Sequence, residues 1–284
     1  MNPVALQLAN GNAFFIGIGL VIVALILRFW FSGRITSLAL RIGFITGITL
    51  VILSSTPLSF WLYLLWFGFC VAAALIIFNG HSPLQRKVTM FVSVSLISLI
   101  MCLAEFPYHR SPVITLSPNE SVYIIGDSIS AGIRRERTWP DVLGDISHLK
   151  VTNLAVPGAT VESALGQSVS VTESNSLIFV EIGGNDLLGS TDRKTFFAQL
   201  DKLLGGLKER NSQIVMFELP LLPFCNGFGD AQRNLAKKYN VILIPKHFLT
   251  DVFALPGGTL DGLHLSQKGH DALANSISNL LKMN

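Results

Sequence analysis

Asp261-Gly262-Leu263-His264 sets a carboxylate and an imidazole three residues apart in a glycine-containing turn. A histidine that takes a proton from a nucleophile needs its second ring nitrogen held by a carboxylate, which fixes the tautomer and stabilises the imidazolium. At this spacing Asp261 reaches His264 directly. The other histidines are poorer candidates. His81 and His109 lie outside residues 120–284, and His148 and His247 lack a comparable acidic partner. His270, beside Asp271 in a helical stretch, reads as a solvated or capping residue. Three more segments carry groups that such a base would serve. Gly126-Asp127-Ser128-Ile129-Ser130 puts a serine in a tight turn, a place that suits a nucleophile or a helix N-cap. Val156-Pro157-Gly158-Ala159-Thr160 offers a backbone N–H at Gly158, and Gly183-Gly184-Asn185-Asp186 offers the Asn185 amide. Both can donate to an oxyanion, and both are also turn-rich by composition.

Each of these turns must be held by something rigid. Apolar, β-rich runs recur at Ser121–Gly126, Val151–Val156, Ser176–Ile182, Gln213–Leu219 and Val241–Pro245. They are apolar at odd and even positions alike, as strands buried on both faces are. Helical patterns separate them: Arg193 to Arg210, with Phe197, Leu200, Leu203, Leu204 and Leu207 at three- and four-residue spacing, Asp230 to Tyr239, and Ser266 to Lys282. Alternating strands and helices predict a three-layer α/β/α domain around a parallel five-stranded sheet. Ligands bind such sheets at the carboxyl ends of the strands, where Ser128, Gly158 and Asn185 fall.

Four motif blocks in this order resemble the SGNH (GDSL-type) hydrolase family. Gly-Asp-Ser-Ile-Ser is similar to its first block, Pro-Gly-Ala-Thr to the second, Gly-Gly-Asn-Asp to the third and Asp-Gly-Leu-His-Leu-Ser to the fourth. Ile129 replaces the leucine of the family's common name, a conservative change. The likeness covers roughly residues 120–284. It implies the flavodoxin-like SGNH fold, with Ser128 as nucleophile, His264 as its base and Asp261 orienting that base. It also implies an oxyanion hole from the Ser128 and Gly158 N–H groups and the Asn185 side chain. The reaction passes through an acyl-enzyme and implies neither a metal nor an organic cofactor.

Residues 1–118 are of another kind. They hold six Lys/Arg and one Asp/Glu, against fifteen and seventeen in 119–284. The whole chain is 14% charged, where a soluble domain carries about 25%. Four apolar runs, 13–31, 35–53, 57–78 and 88–104, match the roughly 20 residues of a membrane span. Arg41 lies inside the second, close enough to its end to snorkel. Trp30, Trp61, Tyr63 and Trp66 lie toward run ends, as interfacial aromatics do. The positive-inside rule puts the loops near Arg28, Arg34 and Arg41, and near Arg86 and Lys87, in the cytoplasm. The N-terminus and residues 120–284 then face outward. No basic segment precedes the first run, so it does not read as a cleaved signal. Residues 105–119, with Pro107, Pro112 and Pro118, read as an extended connector. A basic excess beside apolar runs indicates membrane topology rather than nucleic-acid binding. Cys70 and Cys102 sit in apolar runs and Cys225 stands alone in the C-terminal half, so no disulfide framework is expected.

The expected function is a membrane-anchored serine esterase acting on a lipid, such as a lysophospholipid, or on an O-acylated glycan. The same site would support O-acyl transfer if an alcohol outcompetes water. A non-catalytic binding module on a hydrolase fold is the reading from another class. Arg134, Arg135 and Arg137 can meet an anionic group or simply form a solvated loop. Leu221, Leu222, Pro223 and Phe224 can line an acyl pocket or cap the sheet edge.

Overall fold

Two of the apolar runs become strands whose every residue is buried, Val122–Gly126 and Leu177–Glu181. In the computed structural model, which describes residues 3–31, 33–79, 81–117 and 120–283, seven strands are numbered along the chain. They are β1 (Ile114–Leu116), β2 (Val122–Gly126), β3 (Val151–Asn153), β4 (Leu177–Glu181), β5 (Gln213–Phe217), β6 (Ile242–Ile244) and β7 (Leu281–Met283). Five form one parallel sheet in the order β3-β2-β4-β5-β6. The order reverses between β2 and β4, which opens a crevice at the carboxyl ends of those two strands. Ser128 follows β2 and Asn185 follows β4, so both predicted groups lie at that switch point.

Helices cover both faces. Trp139–Ser147, His247–Ala254 and Gln267–Ser278 pack on one side, around Trp139, Phe179, Phe217 and Leu273. Val161–Val169, Arg193–Lys208 and Asn226–Tyr239 pack on the other, around Ile125, Val180, Phe196 and Leu203. The three-layer α/β/α prediction is met. β2 ends where its apolar run does, at Gly126, while β3, β4, β5 and β6 stop short of theirs because the last residues leave the ladder for the loops that follow. The final helix ends at Ser278 rather than Lys282, and Leu281–Met283 continues as β7. β7 pairs in parallel with β1, so part of the segment expected to be a connector is a strand. Pro118 of that segment lies outside the described residues.

The chain divides into two compact units, one comprising Met1–Leu6, His109–Leu221 and Gly227–Asn284, the other Gln7–Tyr108 and Leu222–Asn226. In the second unit four helices, Asn12–Trp30, Arg34–Leu53, Phe60–Ile77 and Leu84–Glu105, are long and apolar enough to cross a membrane. The first two approach at Gly17 and Gly47, where a Cβ on Gly17 would stand 2.6 Å from the Gly47 carbonyl oxygen. Small residues at such crossings let helix backbones touch, the main source of packing where water supplies no driving force. Trp66 departs from the interfacial position expected for it: it is fully buried, and its indole N–H donates to Ser98 Oγ at 2.8 Å. Arg41 donates to the Phe78 carbonyl oxygen at 3.3 Å and lies over the Phe78 ring.

Candidate active site

Gly126 is where the serine turn begins, and its backbone is held on both sides. Across the ladder it pairs with Glu181. On the other side, beyond the end of β3, the Gln167 side chain substitutes for a strand: Oε1 accepts the Gly126 N–H and Nε2 donates to the Gly126 carbonyl oxygen, both at 2.9 Å. A Cβ on Gly126 would come within 2.9 Å of the Glu181 carbonyl oxygen and 2.8 Å of Ser130 Oγ, so no side chain fits there. Asp127 then caps the short helix Ser128–Ala131, accepting the Ile129 N–H at 3.0 Å. The cap is therefore Asp127, and Ser128 is the first helical residue, buried but for a small exposed fraction. A buried chain of polar groups fixes this helix from below. Trp139 Nε1 donates to Ser130 Oγ (3.1 Å), Ser130 Oγ to Glu181 Oε2 (2.8 Å), and Asn153 Nδ2 to the Ser130 carbonyl oxygen (2.9 Å).

The Asn185 amide joins the loops after β2 and β3. Nδ2 donates to the Ala159 carbonyl oxygen at 2.9 Å and to Asp127 Oδ2 at 3.3 Å. Gly158 occupies a tight turn at φ +77°, a conformation open to glycine and strained for other residues. Among the described residues, neither the Ser128 nor the Gly158 N–H donates a backbone hydrogen bond. Asp186, next to Asn185, is buried and accepts the Val161 N–H at 2.9 Å, tying this loop to the helix that carries Gln167.

Asp261 and His264 meet as their spacing predicts. His264 Nδ1 lies 2.7 Å from Asp261 Oδ2, while Oδ1 accepts the N–H groups of Leu263 and His264 at 3.0 and 2.9 Å. The imidazole and the two backbone donors hold the Asp261 carboxyl well below the usual carboxylate range. It stays ionised wherever an esterase is assayed.

Sequence reasoning missed several members. His270 is not solvated: it is fully buried, and its Nδ1 accepts the Trp139 N–H at 3.1 Å, docking the last helix onto the helix after the serine turn. Burial pushes its imidazole below the usual range. Glu181 was hidden in an apolar run, and Asp127 was passed over as a motif neighbour of Ser128. Arg137 pairs with Asp145, and Leu222–Asn226 belongs to the unit of the apolar helices.

A parallel α/β/α sandwich with a serine turn and an asparagine at its switch point, and an Asp–His pair in the same unit, has the parts of an acyl-transferring hydrolase. Residues 124–272 match the GDSL-like Lipase/Acylhydrolase family, and the chain belongs to it. Curated relatives agree. An arylesterase of Vibrio mimicus is 27% identical over 175 residues, covering 56% of this chain and 87% of its own length. Thioesterase 1/protease 1/lysophospholipase L1 of Escherichia coli strain K12 is 26% identical over 175 residues, covering 57% and 84%. Among solved structures, TesA superposes with a TM-score of 0.51 at 21% identity, over 57% of this chain and 97% of its own. The psychrotrophic esterase EstA from Pseudoalteromonas sp. gives 0.50 at 19% identity, over 56% and 95%. These two structures establish the fold, and the family match and curated relatives make this chain a serine ester hydrolase.

Proposed function

We propose that the chain is a membrane-anchored acyl-ester hydrolase whose catalytic unit faces outward and acts on amphiphilic, lysophospholipid-like esters. In this reading Ser128 Oγ attacks the acyl carbonyl while His264 Nε2 takes its proton. The tetrahedral oxyanion accepts from the Ser128 and Gly158 N–H groups and from Asn185 Nδ2. Collapse breaks the C–O bond and passes the proton from His264 to the leaving alcohol. Water, deprotonated by His264, then attacks the acyl-serine, and Ser128 recovers its proton as the free acid leaves. Asp261 holds the imidazole and offsets its charge throughout.

The observation that carries the reading is the His264–Asp261 pair, at 2.7 Å with both carboxylate oxygens occupied. The four apolar helices support a bilayer-bound enzyme, and the loop arginines support an outward-facing catalytic unit. The lysophospholipase L1 name of the relative from Escherichia coli supports the substrate class.

A chain-length series tests the substrate. With the full chain in detergent, kcat/KM for p-nitrophenyl esters is expected to rise from acetyl to medium acyl chains, and lysophospholipid to release free fatty acid. A strong preference for acetyl would overturn the lipid reading in favour of an O-acylated glycan. Acylated acceptor in place of free acid would overturn hydrolysis in favour of acyl transfer.

A further inference from the structure

Two carboxyls lie buried directly behind the nucleophile turn, and only one of them belongs to a motif block. Asp127 precedes Ser128, and Glu181 is the last residue of β4; each is 3% exposed. The Asp127 N–H donates to the Glu181 carbonyl oxygen at 3.2 Å, and the two side chains are within hydrogen-bonding reach of each other. Two carboxylates this close and this dry do not both ionise, so the pair holds a proton between them.

The surroundings decide which partner keeps the charge. Asp127 accepts the Ile129 N–H at 3.0 Å and the Asn185 amide at 3.3 Å, and the charge of His264 favours its ionised form. Glu181 accepts the Ser130 hydroxyl on Oε2 and, more weakly, the Asp127 N–H, and no amide side chain donates to it among the described residues. Negative charge therefore settles on Asp127 and the proton on Glu181. Burial, the largest influence on both, raises Asp127 to about 6 and holds Glu181 well above the carboxylate range, helped there by the charge of Asp127. The other titratable groups acting on the pair are Asp186, from the helix Gly184–Leu188, and His264. His270 is set apart from it by Trp139 and Ser130.

Resting on the assignment of Ser128 above, we propose that Glu181 is a positioning residue. As a neutral acid it donates to the Asp127 carboxylate, and so fixes the two bonds by which Asp127 holds the Ser128 turn and the Asn185 amide. The nucleophile and the oxyanion donor are then set by one shared proton. A structural carboxylate would behave differently. If Glu181 must be ionised, glutamine cannot replace it; if it must be neutral and donating, glutamine can.

The test measures kcat and KM across the pH range with the full-length protein, its Glu181→Ala and Glu181→Gln variants, and fluorophosphonate labelling of each. Glu181→Ala is expected to lower kcat by about 10²-fold with little change in KM, the scale of a misplaced reacting group. Glu181→Gln is expected to recover most of that loss. On the alkaline side the wild type loses kcat as a second charge enters the pair, and Glu181→Gln does not. Stability follows the same proton: a carboxyl raised by folding makes the wild type lose stability as pH rises from the usual carboxylate range toward neutrality, and Glu181→Gln flattens that slope. A glutamine variant as impaired as the alanine one, or one that keeps the wild-type alkaline limb, overturns the proposal while labelling of wild-type Ser128 leaves the triad reading standing. Failure of the wild type to label overturns both. Should Glu181→Ala not fold, the pH profile of Glu181→Gln decides alone.

Discussion

Replacing His264 with alanine is expected to lower kcat by about 10⁴-fold or more while KM stays near its wild-type value, the pattern of an interaction made in the transition state. The imidazole is partly exposed, at 27%, and sits in a surface turn, so its removal opens no core cavity and the fold is retained. What is lost, in the proposed mechanism, is the acceptor for the Ser128 proton. Asp261→Ala is expected to cost less, because a freed imidazole still accepts a proton in some of its orientations. Its carboxylate also holds the turn through the N–H groups of Leu263 and His264, so part of that loss is positional. Steady-state hydrolysis of a p-nitrophenyl ester by the two variants, beside circular dichroism to confirm folding, checks the order. Equal activity of His264→Ala and wild type would remove His264 from the mechanism.

The largest expected stability effect lies elsewhere in the same unit. Glu218 follows β5, and its Oε1 accepts from Arg233 Nε at 2.6 Å, with the two side chains only 1% and 4% exposed. Burying an ion pair is not in itself stabilising, but deleting the carboxylate takes a charged hydrogen-bond partner from a buried guanidinium, at a cost of about 3–5 kcal/mol. Glu218→Ala is therefore expected to lower the melting temperature of its unit by roughly 6–20 °C, at about 2–4 °C per kcal/mol for a unit of this size. Lys238→Ala removes an exposed pair with Asp201 and is expected to shift the midpoint little, because solvent screens such pairs. Thermal melts of both variants in the same detergent check the contrast.

The sheet was legible because its strands are buried on both faces, which writes apolar residues at every position of β2 and most of β4. Three of the chemistry-bearing turns were legible because serine, glycine and asparagine fall just past the ends of β2, β3 and β4. The Asp261–His264 contact is local, so spacing alone could find it. The Asp127–Glu181 contact is not local: it arises only when β2 and β4 pair, and a single carboxylate in Leu177–Glu181 carries no mark of the partner it will meet. His270 misled for the opposite reason. Its neighbour Asp271 suggested water, but the helix Gln267–Ser278 turns His270 inward, against the Trp139 N–H. Trp66 was expected at an interface but lies well inside the helix Phe60–Ile77, where its hydrogen bond to Ser98 on the neighbouring helix satisfies its buried indole N–H. β1 and β7 were missed because three-residue strands have too little sequence to show a period, and each exists only through the other.

The central claim is that Ser128 is a nucleophile activated by its setting, and a fluorophosphonate probe reads that property without any knowledge of the substrate. Full-length protein in detergent is expected to take up one probe, mapped by mass spectrometry to the peptide containing Ser128. Ser128→Ala is expected to take up none and to lose ester hydrolysis with it. Labelling that persists in Ser128→Ala, or a folded wild type that hydrolyses esters while Ser128 stays unlabelled, would contradict the claim.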